Sequence, residues 1–183
     1  MNQRDDISLL LTATAFAADK HCNQRRKDKQ ASPYINHPIA LANVLKNEGG
    51  IADAKVLAAA MLHDTIEDTD ATPEELEAVF GKEIAGIVLE VTDDKSLPKA
   101  ERKRLQVEHA CSISHRAKLV KLADKICNLR DLLASPPAAW SEKRIEEYFD
   151  WARDVVEGLR GSNAPLERVF DALYGQRQET LKR

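Results

Sequence analysis

An all-α domain is the fold class this sequence predicts, and three observations predict it. Apolar residues recur three and four apart through most of the chain, and no stretch alternates as a half-buried strand does. Helix start and stop signals bracket those stretches. Aromatic residues make up only 5%, which leaves a core of Leu, Val, Ile and Ala. With 183 residues, 43% hydrophobic and 31% charged, the chain is long enough for one domain with a sizeable core. The expectation is a single domain over residues 1–183, a helical bundle of about eight to nine helices.

The elements follow in order. A first helix is expected over 7–20, with Asp5 and Asp6 as capping candidates. "NQRRKDKQASPYINHP" is polar, basic and broken by Pro33 and Pro38, so it reads as a long loop, and a loop of that length points to function. Helix two runs from about Pro38 to Glu48 and stops at Gly49 and Gly50. Asp53 caps helix three, "AKVLAAAMLHDTIED", which shows no clear polar side before His63; such a helix is usually central in a bundle. In "TPEEL", Thr72 is the N-cap, Pro73 the first helical residue and Glu75 the far side of a capping box. Gly81 separates that helix from the next, Lys82 to about Val91. "TDDKSLP" is a loop, and Pro98 opens the charged helix "PKAERKRLQVEHA". Ser114 caps a long helix through Ala134, and "SPPAAW" is a linker. Ser141 caps "EKRIEEYFDWARDVVEGL", which Gly161 ends; Asn163 with Pro165 starts the last helix.

The net charge of −3 argues against bulk electrostatic binding to nucleic acid. "RRKDK" and "KAERKR" are nevertheless locally basic, and they keep a metal-free nucleic-acid-binding or scaffold protein as a competing class. No apolar run approaches the roughly 18 residues that span a bilayer. Acids precede the apolar part of the N-terminus, the reverse of a signal peptide. The expectation is a cytoplasmic protein without a membrane partner. Cys22, Cys111 and Cys127 are scattered and lack paired zinc spacing, so they read as buried thiols in a reducing compartment. The sequence leaves the oligomeric state open.

Chemistry concentrates at the end of helix three, in "MLHDTIEDT". His63 and Glu67 are four apart, as are Asp64 and Asp68, so each pair shares a helical face. Carboxylates crowded at a helix C-terminus repel one another and oppose the macrodipole. A bound cation reverses the sign of each of these terms. A mixed His and carboxylate set suits a borderline divalent ion such as Mn²⁺, Fe²⁺ or Zn²⁺. The alternative is a solvated helix end. Asp124, in "KLVKLADKICNLRDLL", lies beside the apolar stripe, with Asn128 one turn on along the same face. His37 precedes Pro38 and is held extended at the mouth of helix two. The loop before it carries Arg25, Arg26, Lys27 and Lys29, a cluster suited to phosphate or, on charge alone, to solvent.

Together "RRKDKQASPYINHP", "MLHDTIEDT", "VTDDKSLPKAERKRLQ" and "KLVKLADKICNLRDL" resemble the RelA/SpoT-type HD-domain hydrolases, and among these the single-domain small alarmone hydrolases similar to metazoan SpoT homologues. The resemblance spans roughly residues 5 to 175. It implies an all-α HD fold and metal-dependent hydrolysis of guanosine 3′-diphosphate 5′-di(tri)phosphate, the alarmone of the stringent response, to GDP or GTP and pyrophosphate. It implies Mn²⁺ as the usual ion, with His37, His63, Asp64 and Asp124 as ligands. Glu67 and Asp68 would handle the attacking water. Arg26, Lys27 and Asn128 would face the nucleotide and its phosphates, and Tyr148 the nucleoside, with Lys99 and Arg144 as further phosphate contacts. Asp131 departs from the small hydroxyl residue that long members carry after "NLR", which bears on base recognition. There is no room for a synthetase domain, so the resemblance implies hydrolysis without synthesis. The same machinery acting on NADPH or on adenosine 3′-diphosphates is the alternative.

Overall fold

The computed structural model describes residues 3–177, and among these the regular structure is helical. In chain order the α-helices are α1 (Gln3–Lys20), α2 (Asn36–Asn43), α3 (Ala54–Leu62), α4 (Thr65–Asp68), α5 (Pro73–Phe80), α6 (Lys82–Val91), α7 (Lys99–His109), α8 (His115–Ala134), α9 (Glu142–Glu157) and α10 (Ala164–Gly175). A π-helical turn, Val44–Glu48, prolongs α2.

α3 and α8 form the centre. α3 buries seven of its nine residues, among them Val56, Leu57 and the run Ala58, Ala59, Ala60. It packs against α1, α2, α6 and α8. The small side chains let those neighbours approach on all sides, which is why this helix lacks a polar face. α8 buries Leu119, Leu122, Ile126 and Leu129 and packs against α2, α3, α6, α9 and α10. A bidentate ion pair, Arg130 to Glu48 at 2.7 Å for both nitrogens, ties α8 to the π-helical turn.

The caps behave as the sequence predicts, with differences of detail. Asp53, Thr72, Ser114, Ser141 and Asn163 each accept a hydrogen bond from a first-turn backbone N–H. Glu75 directs its carboxylate to Lys20, 2.9 Å away, and so anchors α5 to α1. α1 starts before Asp5 and Asp6, which sit in its first turn, where the helix dipole favours them. Of the cysteines expected to be buried, only Cys127 is; Cys22 and Cys111 are exposed, and all are free thiols.

The main departure from expectation is in helix three. It does not run on to Asp68: it ends at Leu62, and α4 begins at Thr65. Asp64, at φ −101° and ψ −1°, lies in the sparsely populated bridge region where the chain turns. The break leaves helix-end carbonyls without intrahelical partners. The His63 ring takes the Ala60 carbonyl through Nδ1 at 2.9 Å, and the Thr65 hydroxyl donates to the Leu62 carbonyl at 2.7 Å. Periodicity does not reveal this break, because the residues that cap it are also those that carry the chemistry.

Candidate active site

Several elements converge on one end of the bundle. The segment 21–35 is ordered by main-chain bonds from Arg26 N–H to the Ser32 carbonyl (2.8 Å) and from Tyr34 N–H to the Gln24 carbonyl (3.1 Å). The turn between them is held by Asp28, which accepts from the Ser32 backbone at 3.0 Å and from the Ser32 hydroxyl. The long loop therefore presents its basic residues from a fixed frame, and it delivers His37 into the first turn of α2, where the residue is helical, not extended as its place before Pro38 predicts, and the ring is buried.

His37, His63 and Asp124 come together, with one ligand atom from each lying within 4.8 Å of the others. Asp124 Oδ1 is 3.2 Å from His37 Nε2 and 3.9 Å from His63 Nε2. Because His63 Nδ1 donates to the Ala60 carbonyl, the Nε2 of the neutral ring presents a lone pair to the cluster. Asp64 borders the group, its Oδ2 2.9 Å from His63 Nε2, and accepts from the Tyr34 hydroxyl. Two buried ring nitrogens here, His37 Nδ1 and His63 Nε2, have no hydrogen-bond partner among the described residues. Buried imidazoles and carboxylates with polar atoms to spare fit a divalent cation.

The electrostatics support the same assignment. Burial disfavours ionised Asp124, yet Lys125, then His37 and His63, hold its carboxyl well below the usual range. Burial likewise disfavours charge on His63, but Asp64 and then Asp124 outweigh it and raise the imidazole to about 9. Two carboxylates in so small a volume demand positive charge, and a divalent ion supplies it without protonating the ligands.

Glu67 and Asp68 lie just outside this cluster, and their surroundings differ. Glu67 is pushed up to about 7, first by burial and then by Asp64 and Asp93. Its Oε2 accepts from the Asp93 backbone N–H at 3.2 Å, and its Oε1 is 3.5 Å from Arg102. Asp68 pairs with Lys95, and its Oδ2 accepts from the Gln24 amide at 3.1 Å.

A cleft of about 520 Å³, lined in part by Arg26, Lys27, Asn128, Asp131, Trp140 and Tyr148, adjoins the pocket of the cluster through Tyr34, Asp68 and Asn128. Arg26 pairs with Asp131 across it and lies 5.6 Å from the Tyr34 ring centroid. Asn128 lines the cleft but also donates to Asp124 Oδ1 at 2.6 Å, so it orients a carboxylate as well as facing the opening. A second groove, about 720 Å³, shares Trp140 and Tyr148 with the first and adds Lys99, Lys103, Lys143 and Arg144. Lys99 is held below its usual range by partial burial and then by Arg144, Lys27 and Arg102, so cations from three parts of the chain converge there. Convergent like charges destabilise the free protein and favour an anionic ligand.

Sequence reasoning missed Tyr34, Gln24, Lys95, Gln106, Lys121 and Lys125. Lys125 and Lys121 are buried lysines on α8, a rare placement, and burial pushes the Lys121 ammonium down to about 8. Lys125 directly follows Asp124, and Tyr34 stands one turn before His37. Those spacings were the available signals.

The HD domain model matches residues 13–149, which include every one of these cluster residues. The chain belongs to the HD domain family. Within that family it is 59% identical over 169 residues to the guanosine-3′,5′-bis(diphosphate) 3′-pyrophosphohydrolase MESH1 of Xenopus tropicalis, covering 92% of this chain and 94% of the relative. The Homo sapiens protein of the same name is 58% identical over 176 residues, covering 96% and 98%. A solved structure described as a metazoan orthologue of SpoT that hydrolyses ppGpp superposes with a TM-score of 0.90 at 52% identity, over 92% of this chain and 95% of that one. As an HD domain, the chain is one in which a divalent metal is implied, and His37, His63 and Asp124 are placed to hold it. Among the described residues, no helix is long and apolar enough to cross a membrane.

Proposed function

We propose that this HD domain is a guanosine-3′,5′-bis(diphosphate) 3′-pyrophosphohydrolase, releasing pyrophosphate and GDP, or GTP from the pentaphosphate. The observation that carries the reading is the His37–His63–Asp124 cluster in one pocket with Glu67 and Asp68, a pocket that meets the Arg26–Lys27 cleft through Tyr34 and Asn128 and the groove of Lys99, Lys103 and Arg144 through Gln106. A substrate with phosphates on both sides of a ribose needs positive charge on both sides of the reacting centre. The relatives named above support the choice of substrate.

His37, His63, Asp64 and Asp124 would hold Mn²⁺, with Fe²⁺ or Zn²⁺ as other ions the donor set accepts. When bound, such an ion supplies Lewis acidity toward the attacking water and a phosphoryl oxygen. The protein's own part is to position and to move protons. Glu67, raised to about 7, is matched to accept and return a proton near neutral pH. Asp68, held by Gln24 and Lys95, orients the water beside it. Arg26 and Lys27 on one side, and Lys99 and Arg144 on the other, take the phosphates; Tyr148 and Trp140 provide ring surfaces for the nucleoside.

The test is hydrolysis of guanosine 3′-diphosphate 5′-diphosphate with added Mn²⁺, with and without chelator, followed by product analysis. Pyrophosphate and GDP in equal amounts, abolished by chelation, are expected. Orthophosphate as the sole product would refute the reading. A second reading is favoured by one observation: the 720 Å³ groove adds Trp151 to Trp140 and Tyr148 and can seat a second ring system. That suits a dinucleotide such as NADPH, and assaying NADPH alongside separates the two.

A further inference from the structure

Asp124 and Glu67 come from different helices, yet one polar chain joins them. Lys125 is 3% exposed and spends its ammonium on three partners. It donates to Asp124 Oδ2 at 3.0 Å and to Gln106 Oε1 at 3.1 Å, and it lies 4.3 Å from the Trp151 ring centroid. The Gln106 amide then donates from Nε2 to Asp93 Oδ2 at 2.7 Å. The backbone N–H of Asp93 in turn donates to Glu67 Oε2. Between Asp124 and Glu67, Gln106 is the one member that touches neither of them.

The chemistry at Gln106 is restrictive. An ammonium only donates and an ionised carboxylate only accepts, so the residue between Lys125 and Asp93 must accept at one end and donate at the other. A primary amide does both, and its orientation is fixed by its partners. Glutamate would repel Asp93, and an apolar chain would satisfy neither partner. Asp93 sits in the connection 92–98, between α6 and α7, and α7 itself has no fully buried residue. The Gln106 bond ties the Asp93 side chain to α7, and the Trp151 indole, donating to the Lys103 carbonyl at 3.0 Å, ties α7 to α9.

We infer that Gln106 is a positioning residue for hydrolysis, holding the Asp93 backbone N–H against Glu67 while it braces Lys125 on the ligand Asp124. This role rests on the assignment of Glu67 as the proton-handling group. The substrate contacts are left to other residues, so the effect belongs on turnover and not on binding.

The test is a double-mutant cycle of Gln106→Met and Asp93→Ala, read on guanosine 3′-diphosphate 5′-diphosphate with Mn²⁺. Asp93→Ala keeps the backbone donor and cuts only the tether. Each single variant is expected to lower kcat by about 10- to 100-fold, the usual range for residues that orient ligands from behind, with KM near wild type. The double variant should be no worse than the more damaging single, since Gln106→Met already cuts the tether that Asp93→Ala removes. Calorimetric Mn²⁺ titration of each variant should give wild-type stoichiometry, because Lys125 keeps its bond to Asp124. Gln106→Glu, which retains the acceptor for Lys125, should lose turnover to a similar extent with Mn²⁺ still bound. Losses that multiply in the double variant, a rise in KM at unchanged kcat, or loss of Mn²⁺ from Gln106→Met would each overturn this role. Wild-type protein that releases no pyrophosphate would overturn the functional reading itself, and this role with it.

Discussion

Glu67→Gln separates what this carboxylate does for catalysis from what it costs the fold. The substitution keeps the shape and leaves an acceptor for the Asp93 N–H, but it removes the charge and the capacity to take a proton. Glu67 has an ordinary value of 4.5 and is raised to about 7, chiefly by burial and then by Asp64. A raised carboxyl binds its proton more tightly in the folded state. Stability is then unaffected below about pH 4.5, falls as pH rises toward 7, and stays lowered above that. The side chain is 19% exposed, so the effect is not lost to solvent. At about 1.4 kcal/mol per pH unit it amounts to roughly 3–4 kcal/mol. Metal-free Glu67→Gln protein should thus match wild type in urea at pH 4 and exceed it by about that amount at pH 8. With Mn²⁺ added the gap should narrow, since the ion offsets the Asp64 charge. Turnover should fall by about 100- to 10,000-fold, the range for a lost general acid–base group, with Mn²⁺ retained. Equal stability of the two proteins at pH 8, or a kcat near wild type, would refute this assignment of Glu67.

Adding Mn²⁺ at about a hundred times its Kd should stabilise the protein by roughly 2.7 kcal/mol, seen as a rise in melting temperature that His37→Ala abolishes. Lys27→Ala should raise KM by about tenfold with kcat little changed, as expected for loss of one charge-assisted phosphate contact worth about 1.4 kcal/mol; the effect should shrink at high salt. Leu122→Ala, at a fully buried position on α8, should cost about 2–5 kcal/mol in urea unfolding. Were the melt of that variant unchanged, the central placement of α8 would be wrong.

The helical architecture was legible because amphipathic spacing and capping residues are local signals. Thr72, Ser114, Ser141 and Asn163 cap where they stand in sequence. The candidate cluster of His37, His63 and Asp124 was legible because its members lie in motifs that resemble a known family. Gln24, Lys95 and Gln106 were not, because their roles arise from contacts over separations of 44, 27 and 13 residues. Nothing in the local pattern distinguishes a glutamine that bridges two charges from one that faces water. The break after Leu62 was hidden for the opposite reason: the helical pattern continues through it, and only the His63 and Thr65 side-chain bonds mark the turn.

That break gives His63 two occupations at once. One ring nitrogen caps the end of α3 and the other faces Asp64 and Asp124, so the bond that ends α3 also aims the ring at the candidate metal cluster. The end of this helix and the candidate site share one side chain. A substitution to alanine at position 63 therefore sums an uncapped carbonyl and a missing ligand. Asparagine, whose short amide can donate to the Ala60 carbonyl, would remove the ligand and spare the terminator. Comparing the two substitutions in metal-free protein weighs the mechanical half of this residue against its chemical half.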